Sequence, residues 1–290
     1  MRLIDLLCAI IVVSVFGGGF IAGKIAMQEL NPMFFMGVRL GISALILLPF
    51  VPKPEISWLR LFFITMTYTI FHNGPFFYAV STKISVSAVI VGAQLAVPFS
   101  TILGIIFLNE KPSLKQALGI LISFTGIVII FGSPHIKDNL SSFMLVILGA
   151  LSFAISNIQI KKAGKFNVLS LLAYSSLIAS PIYFILSYFL DDYKTHPLDH
   201  MPAMSTMLAM LYAIFGSTLI GFGLWFRLLQ QYPVHLVMPF SLLTPLVGVA
   251  AAVLILGDSM HHHIMLGGTL IVSGVGLILI NLSKFQGKTA

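Results

Sequence analysis

Charge is the scarcest ingredient of this chain of 290 residues: 9% are Asp, Glu, Lys or Arg, against about 25% in soluble domains. With 58% hydrophobic residues and a mean hydropathy of +1.03, a soluble fold is excluded. Cysteine occurs once, as Cys8, so one chain forms neither an internal disulfide nor a cysteine-based metal cluster. Strict polar-apolar alternation is missing from runs such as 120–131, which argues against a β-barrel. Acids are missing from the centres of the apolar blocks: Asp5, Glu29, Glu110 and Asp258 all fall at block ends, so no carboxylate proton relay is evident. There is no HExxH, GxSxG, P-loop or pair of carboxylates, which argues against an enzyme, a bound cofactor and ATP-driven work.

What remains is apolar blocks of about 20 residues, the length that crosses a bilayer as helix. The fold class is therefore an all-α integral membrane protein of ten transmembrane helices. The expected spans are 4–28, 32–51, 58–80, 85–109, 114–132, 141–161, 167–190, 204–229, 233–256 and 262–282. The first is read as a retained helix, not a cleaved leader. Breakers stand between spans: Pro32, Pro52 to Pro54, Pro112, Pro134, Asp191 to Pro202, and Pro233. With cytoplasmic termini, Arg2, Lys53, Arg60, Lys111, Lys115, Lys161, Lys162, Lys165, Lys284 and Lys288 fall inside. Only Lys83, Lys137 and Lys194 fall outside, with Glu29, Asp138, Asp191, Asp192, Asp199 and Asp258, the asymmetry expected of an inner-membrane protein.

The halves repeat. An offset of 137 places Phe16 on Phe153, Ile21 on Ile158 and Lys24 on Lys161; an offset of 148 places Phe77 on Trp225, Glu110 on Asp258, Gly119 on Gly267 and Gly126 on Gly274. The second half thus carries 11 extra residues, placed in the loop Asp191 to Pro202. The repeats are expected at 1–137 and 138–283, followed by a cytoplasmic tail at 284–290. Five spans per half is odd, so the second repeat enters the membrane inverted, an arrangement of secondary transporters that alternate access to a midplane site.

Most unusual residues read as packing. Gly19 and Gly23, Gly119 and Ser123, and Gly267, Gly268 and Gly274 suit close helix contacts. Pro75, Pro98, Pro181, Pro239 and Pro245 are candidate kinks, static or cavity-lining. Intramembrane ionisable residues carry more information. Arg39 lies about 10 Å inside its helix end at 1.5 Å per residue and faces protein or water, pairing with ligand or with backbone carbonyls near a helix end. Lys24 and Arg227 lie nearer the ends and either snorkel or touch substrate. His72 is a core histidine or a proton carrier. His261 to His263 read as an outer loop, not a metal site, since adjacent helical residues diverge by about 100°. Glu110 and Asp258 are expected to offset the positive end of the helix that follows each.

A small zwitterion suits the mid-span set. Arg227 or Lys24 would hold its carboxylate, with Arg39 and His72 as further contacts; Gln94, Asn157 and Ser241 would orient polar groups; Tyr78, Phe222 and Trp225 would cover the apolar part. Hydrogen bonding between helices is the competing role of each polar member.

Several stretches carry a resemblance: Phe16 to Phe20 with Lys24, "VRL" around Arg39, "FFYAV" at Phe76 to Val80, Asn109-Glu110, "GFGLWFRLL", "PFSLLTPLVGVAAAVLILGD" and "GGTLIVSGVGLIL". Over nearly its whole length the chain resembles the EamA family of the drug/metabolite transporter superfamily. Within that family, Gly221 to Asp258 is most similar to the bacterial exporters of O-acetylserine and cysteine. The resemblance implies a central cavity lined by helices 3, 4, 8 and 9 with help from 1 and 6, and export of amino acids or related metabolites. Import or exchange of another small, anionic or nucleotide-like metabolite is the alternative. The implied partners are a small-molecule substrate and the lipid bilayer, with no nucleic acid, in a monomer or homodimer. The chain departs from the family pattern at Phe16, Phe153, Gly19, Pro98 and Arg227.

Overall fold

The computed structural model describes residues 2–108, 114–191, 201–232, 237, 240–241, 243–258 and 261–280. Outside them lie Asn109, Glu110, Lys111, Pro112, Asp192, Lys194, Asp199, Pro233, Pro239, Lys284 and Lys288, with the ends of the spans expected at 233–256 and 262–282.

Every regular element among the described residues is helical. The chain runs through α1 (Leu3–Ala26) and α2 (Pro32–Leu47), which ends in a 3₁₀ turn (Leu48–Phe50). A third rod joins α3 (Trp58–Thr65), a π-helical stretch (Met66–Asn73) and α4 (Gly74–Ser81). Then come α5 (Val86–Ala93), α6 (Ala96–Leu108), α7 (Leu114–Phe131) and the short α8 (Pro134–Lys137), which the sequence pattern did not predict. α9 (Leu140–Ala163) and α10 (Val168–Leu190) open the second half. Another rod joins α11 (Met204–Leu211), a second π-helical stretch (Tyr212–Phe222) and α12 (Gly223–Gln231), before α13 (Leu243–Leu256) and α14 (His262–Ile280). Among the described residues, six segments are long and apolar enough to cross a membrane: Leu3–Ala26, Pro32–Phe50, Val86–Phe107, Leu140–Ala163, Val168–Leu190 and Met204–Gln231. Ala117–Phe131 and Leu243–Leu256 are shorter apolar helices. Exposed Leu45, Phe63, Leu121, Ile185, Leu246 and Leu254 give the bundle the apolar exterior that lipid requires.

The interruptions have local causes. Pro98 offers no N–H to the Gln94 carbonyl four residues back, and its ring crowds that carbonyl. Val97 N–H takes the bond instead, at 3.0 Å, and the helix breaks between α5 and α6 at Gln94 and Leu95. Pro75 stands just after the first π stretch, where the missing donor falls. Pro181, in contrast, is carried inside a continuous α10. The π stretches are themselves a repeat: offset by 148, 66–73 falls on 214–221, inside Tyr212–Phe222.

Helices matched by the sequence offsets also pack on one another. In α7 and α14, a Cβ on Gly126 would stand 2.5 Å from the Gly267 carbonyl oxygen, and one on Gly267 would stand 2.5 Å from that of Gly126. Gly274 meets the Gly119 carbonyl equally closely. Only glycine allows such approach, and the pairing is reciprocal and antiparallel. α2 and α10 also cross antiparallel, with Ser180 Oγ donating to the Gly37 carbonyl at 2.9 Å and Asp191 accepting from the N–H groups of Met33 and Phe34 at 3.3 and 2.9 Å.

Acids sit where helix N-termini leave donors unpaired. Asp191 serves α2 in this way, and Asp258 accepts from Ser87 N–H and Oγ at 2.9 and 3.0 Å at the start of α5. Asp258 thus caps a helix of the other half, a partner brought to it by tertiary packing.

Candidate functional site

A cavity of about 100 Å³ lies among α1, α2, both π stretches, α4, the α5/α6 break, α9 and the start of α13. Phenylalanine is the commonest residue of its walls: Phe16, Phe20, Phe76, Phe77, Phe153 and Phe222. Phe222 sits 4.8 Å from both Phe16 and Tyr68, and His72 stacks on Phe153 at 4.4 Å. Into this apolar shell project Arg39, His72, Asn73, Gln94, Ser217, Ser241 and Thr244.

Arg39 is 2% exposed. Its Nε donates to Thr218 Oγ1 at 2.8 Å, Nη1 has only the Met36 thioether at 3.9 Å, and the guanidinium lies 5.3 Å from the Phe77 ring centroid. The one ion pair among the described residues joins Arg227 to Asp5, so Arg39 has no carboxylate partner there. Burying a cation without an acid is costly, and this one is held by a hydroxyl, a sulfur and a ring.

Two other buried groups keep hydrogen-bonding capacity. Gln94 gives its amide N–H to the Ile90 carbonyl at 3.5 Å, while its Oε1 has no partner. Ser217 Oγ also lacks one. His72 Nδ1 lies 3.0 Å from the Gly149 carbonyl, which can only accept, so Nδ1 carries the hydrogen. Asn73 donates to the Tyr68 carbonyl at 3.0 Å across the π stretch, and Thr218 donates to that of Ala213 at 3.0 Å in the other. The widened turns thus aim polar side chains at carbonyls that an α-helix would have used, and both stretches form cavity wall.

Five of the ten residues singled out in the sequence meet here: Arg39, His72, Gln94, Phe222 and Ser241. Asn157 and Trp225 form a layer behind them, with Trp225 Nε1 donating to Asn157 Oδ1 at 3.3 Å and the indole 6.0 Å from Phe153.

Lys24, Tyr78 and Arg227 are not among the cavity residues. Lys24 Nζ donates to the carbonyls of Val80 and Thr82 at 2.8 and 3.0 Å, closing the C-terminal end of α4. The carbonyl-pairing role weighed for Arg39 belongs to this lysine. Tyr78 packs against the second apolar cluster, around Phe77 and Met36. Arg227 is half exposed in the middle of α12, 3.9 Å from a buried Asp5 that also accepts from Tyr232 Oη at 2.7 Å. His261 to His263 form no metal cluster among the described residues.

Ser217 was not singled out, because a serine in a glycine-rich apolar span reads as packing. Its partner across the cavity gives the only hint: a Cβ on Gly19 would stand 2.7 Å from Ser217 Oγ.

Comparison with known proteins agrees with this architecture. The model of the EamA-like transporter family matches residues 3–132 and again 140–280. The "probable amino-acid metabolite efflux pump" of Salmonella typhimurium is 29% identical over 96% of this chain and 94% of its own. Its Escherichia coli namesake is also 29% identical, over 96% and 95%. An S-adenosylmethionine uptake transporter of Rickettsia prowazekii is 30% identical over half of each chain. A solved crystal structure aligns with 98% of this chain and 99% of its own at a TM-score of 0.71 and 13% identity, a likeness of fold alone. Matched in both halves, the chain belongs to the EamA-like transporter family and is a multi-pass membrane transporter, not an enzyme.

Proposed function

We propose that this protein exports amino acids or related small metabolites across the bacterial inner membrane by alternating access, with the phenylalanine-walled cavity as its binding site. The observation that carries this reading is the cavity's content: a buried arginine with no acid among the described residues, beside two buried polar atoms with open bonding capacity. A polar, carboxylate-bearing solute supplies what these groups lack. Arg39 is assigned the carboxylate in place of Lys24, whose amine is held by carbonyls, and Arg227, which pairs with Asp5. Gln94, Ser217 and Ser241 orient the polar groups, Phe222 and Phe153 cover the apolar part, and Asn157 and Trp225 brace the wall.

Ten spans, arranged as inverted five-helix repeats at 1–137 and 138–283 with cytoplasmic termini and a tail at 284–290, are the topology we assign. The reciprocal Gly126 and Gly267 contact supports it, since repeat-related helices that cross antiparallel imply a two-fold axis in the membrane plane. So does the paired matching of the family model.

The outward direction is drawn from the efflux pumps to which the chain is similar over nearly its full length; uptake is the competing reading, favoured by the half-length Rickettsia match. Overproduction in a bacterium of low background efflux distinguishes them. Export predicts that cysteine, O-acetylserine or another amino acid accumulates in the medium and that resistance to toxic amino-acid analogues rises. Faster intracellular accumulation with sensitisation would establish uptake instead.

A further inference from the structure

Among the described residues the cavity carries one charge and no counter-charge, and this restricts its cargo further than its size does. Resting on the reading that this cavity is the transport site, we propose that Arg39 makes the protein select by net charge. It takes solutes with a carboxylate and no net positive charge, and excludes net cations.

Arg39 is 98% buried by its 2% exposure, so the low-dielectric shell around it amplifies the field of its guanidinium. No Asp or Glu is among the described cavity residues. The described acids around the cavity elements are engaged at helix ends: Asp5 with Tyr232 and Arg227, Glu29 with the Ala203 N–H at 2.9 Å before α11, Asp191 at α2, and Asp258 at α5. A ligand carboxylate therefore neutralises an unpaired buried cation, whereas a second cation adds to it with nothing to offset the pair.

Geometry adds shape to the rule. Thr218 holds Nε at 2.8 Å and fixes the plane of the fork, leaving the terminal amino groups, one of them with only a thioether neighbour at 3.9 Å. A planar carboxylate matches that end of the fork with two parallel bonds, which a lysine in its place would not reproduce. The ammonium of a zwitterion finds the unpaired Gln94 Oε1 and the faces of the phenylalanines. A solute with a second ammonium has no acid to receive it. The rule also separates this chain from cargo such as S-adenosylmethionine, whose sulfonium adds a positive charge.

The test is a series of unbranched five-carbon solutes against the purified full-length protein: valerate, norvaline, ornithine and pentylamine. Binding is read as ligand-induced stabilisation up to about 100 mM. Valerate and norvaline should stabilise the protein, with ornithine and pentylamine at least about 100-fold weaker. In Arg39→Gln that preference should collapse, and Arg39→Lys should not restore it in full. Ornithine binding as well as norvaline, an unchanged preference in Arg39→Gln, or no response to any member would each overturn the proposal. Should Arg39→Gln fail to fold, the wild-type series alone decides. Gly19→Phe, which fills the cavity beside Ser217, tests the underlying reading separately. Transport that persists in it removes the cavity as the transport site, whereas transport abolished by it, with ornithine and norvaline equivalent, sinks only the charge rule.

Discussion

Lys24 and Lys161 stand 137 residues apart and do the same work at opposite ends of the bundle. Lys24 closes α4 through two carbonyls, and Lys161 Nζ closes α12 through those of Leu229 and Tyr232 at 3.2 and 3.1 Å. Carried through the same offset, Arg39 falls on Ser176, a buried serine, and Gln94 at the offset of 148 falls on Leu242. The frame is thus duplicated, but the chemistry of the cavity is not. His72 and Asn73 have apolar or glycine counterparts in Ile220 and Gly221, so the charge and most of the larger polar groups come from the first half. A two-fold frame can exchange conformations between its halves, and an asymmetric lining lets one side hold the charged end of a cargo while the other supplies hydroxyls and rings.

Breaking the frame should have the largest effect, and equally from either half. Gly126→Leu or Gly267→Leu forces side-chain atoms against the opposite backbone carbonyl, where overpacking of about 1–3 kcal/mol or more is unavoidable. Both should abolish the monodisperse protein peak in size-exclusion chromatography; tolerance of one but not the other would break the symmetry.

Removing the asymmetric charge should separate function from stability. Arg39→Met is expected to lower transport by about 100-fold while the melting temperature holds or rises, because a buried, acid-free cation disappears. Thermal melts beside flux assays measure both effects on one preparation.

The duplicated lysines should behave as a pair. Lys24→Met and Lys161→Met each remove two charge-assisted bonds to carbonyls and should cost about 1.5–3 kcal/mol, visible as matched losses in melting temperature with cargo preference unchanged. The smallest effect is expected of Trp225→Phe, which deletes one bond to Asn157 at 3.3 Å behind the cavity and should cost about 0.5–1.5 kcal/mol, with a modest rise in KM.

The frame was legible from sequence because apolar length, breakers and glycine spacing are local signals. The offsets that paired Gly119 with Gly267 and Lys24 with Lys161 need only the chain itself. Which carbonyls those lysines would find depends on the arrival of α4 and α12, and that is tertiary. The same limit explains Asp258, whose bond to the start of α5 is tertiary. Within the site, Arg39, Gln94 and Phe222 stood out as polar or aromatic groups at span depth. Arg227, Lys24 and Tyr78 stood out on the same grounds and lie elsewhere, since depth along a span does not say which neighbour a side chain meets. The π stretches had no sequence signature beyond Pro75 in one half, yet they set the cavity wall.

The central claim is that cargo passes through the cavity and meets Arg39 there. Counterflow of labelled O-acetylserine and cysteine in proteoliposomes, compared among wild type, Arg39→Gln and Lys24→Met at matched protein content, tests it most directly. The account predicts saturable exchange in wild type and Lys24→Met and its loss in Arg39→Gln. Wild-type exchange in Arg39→Gln, or a loss confined to Lys24→Met, would contradict it.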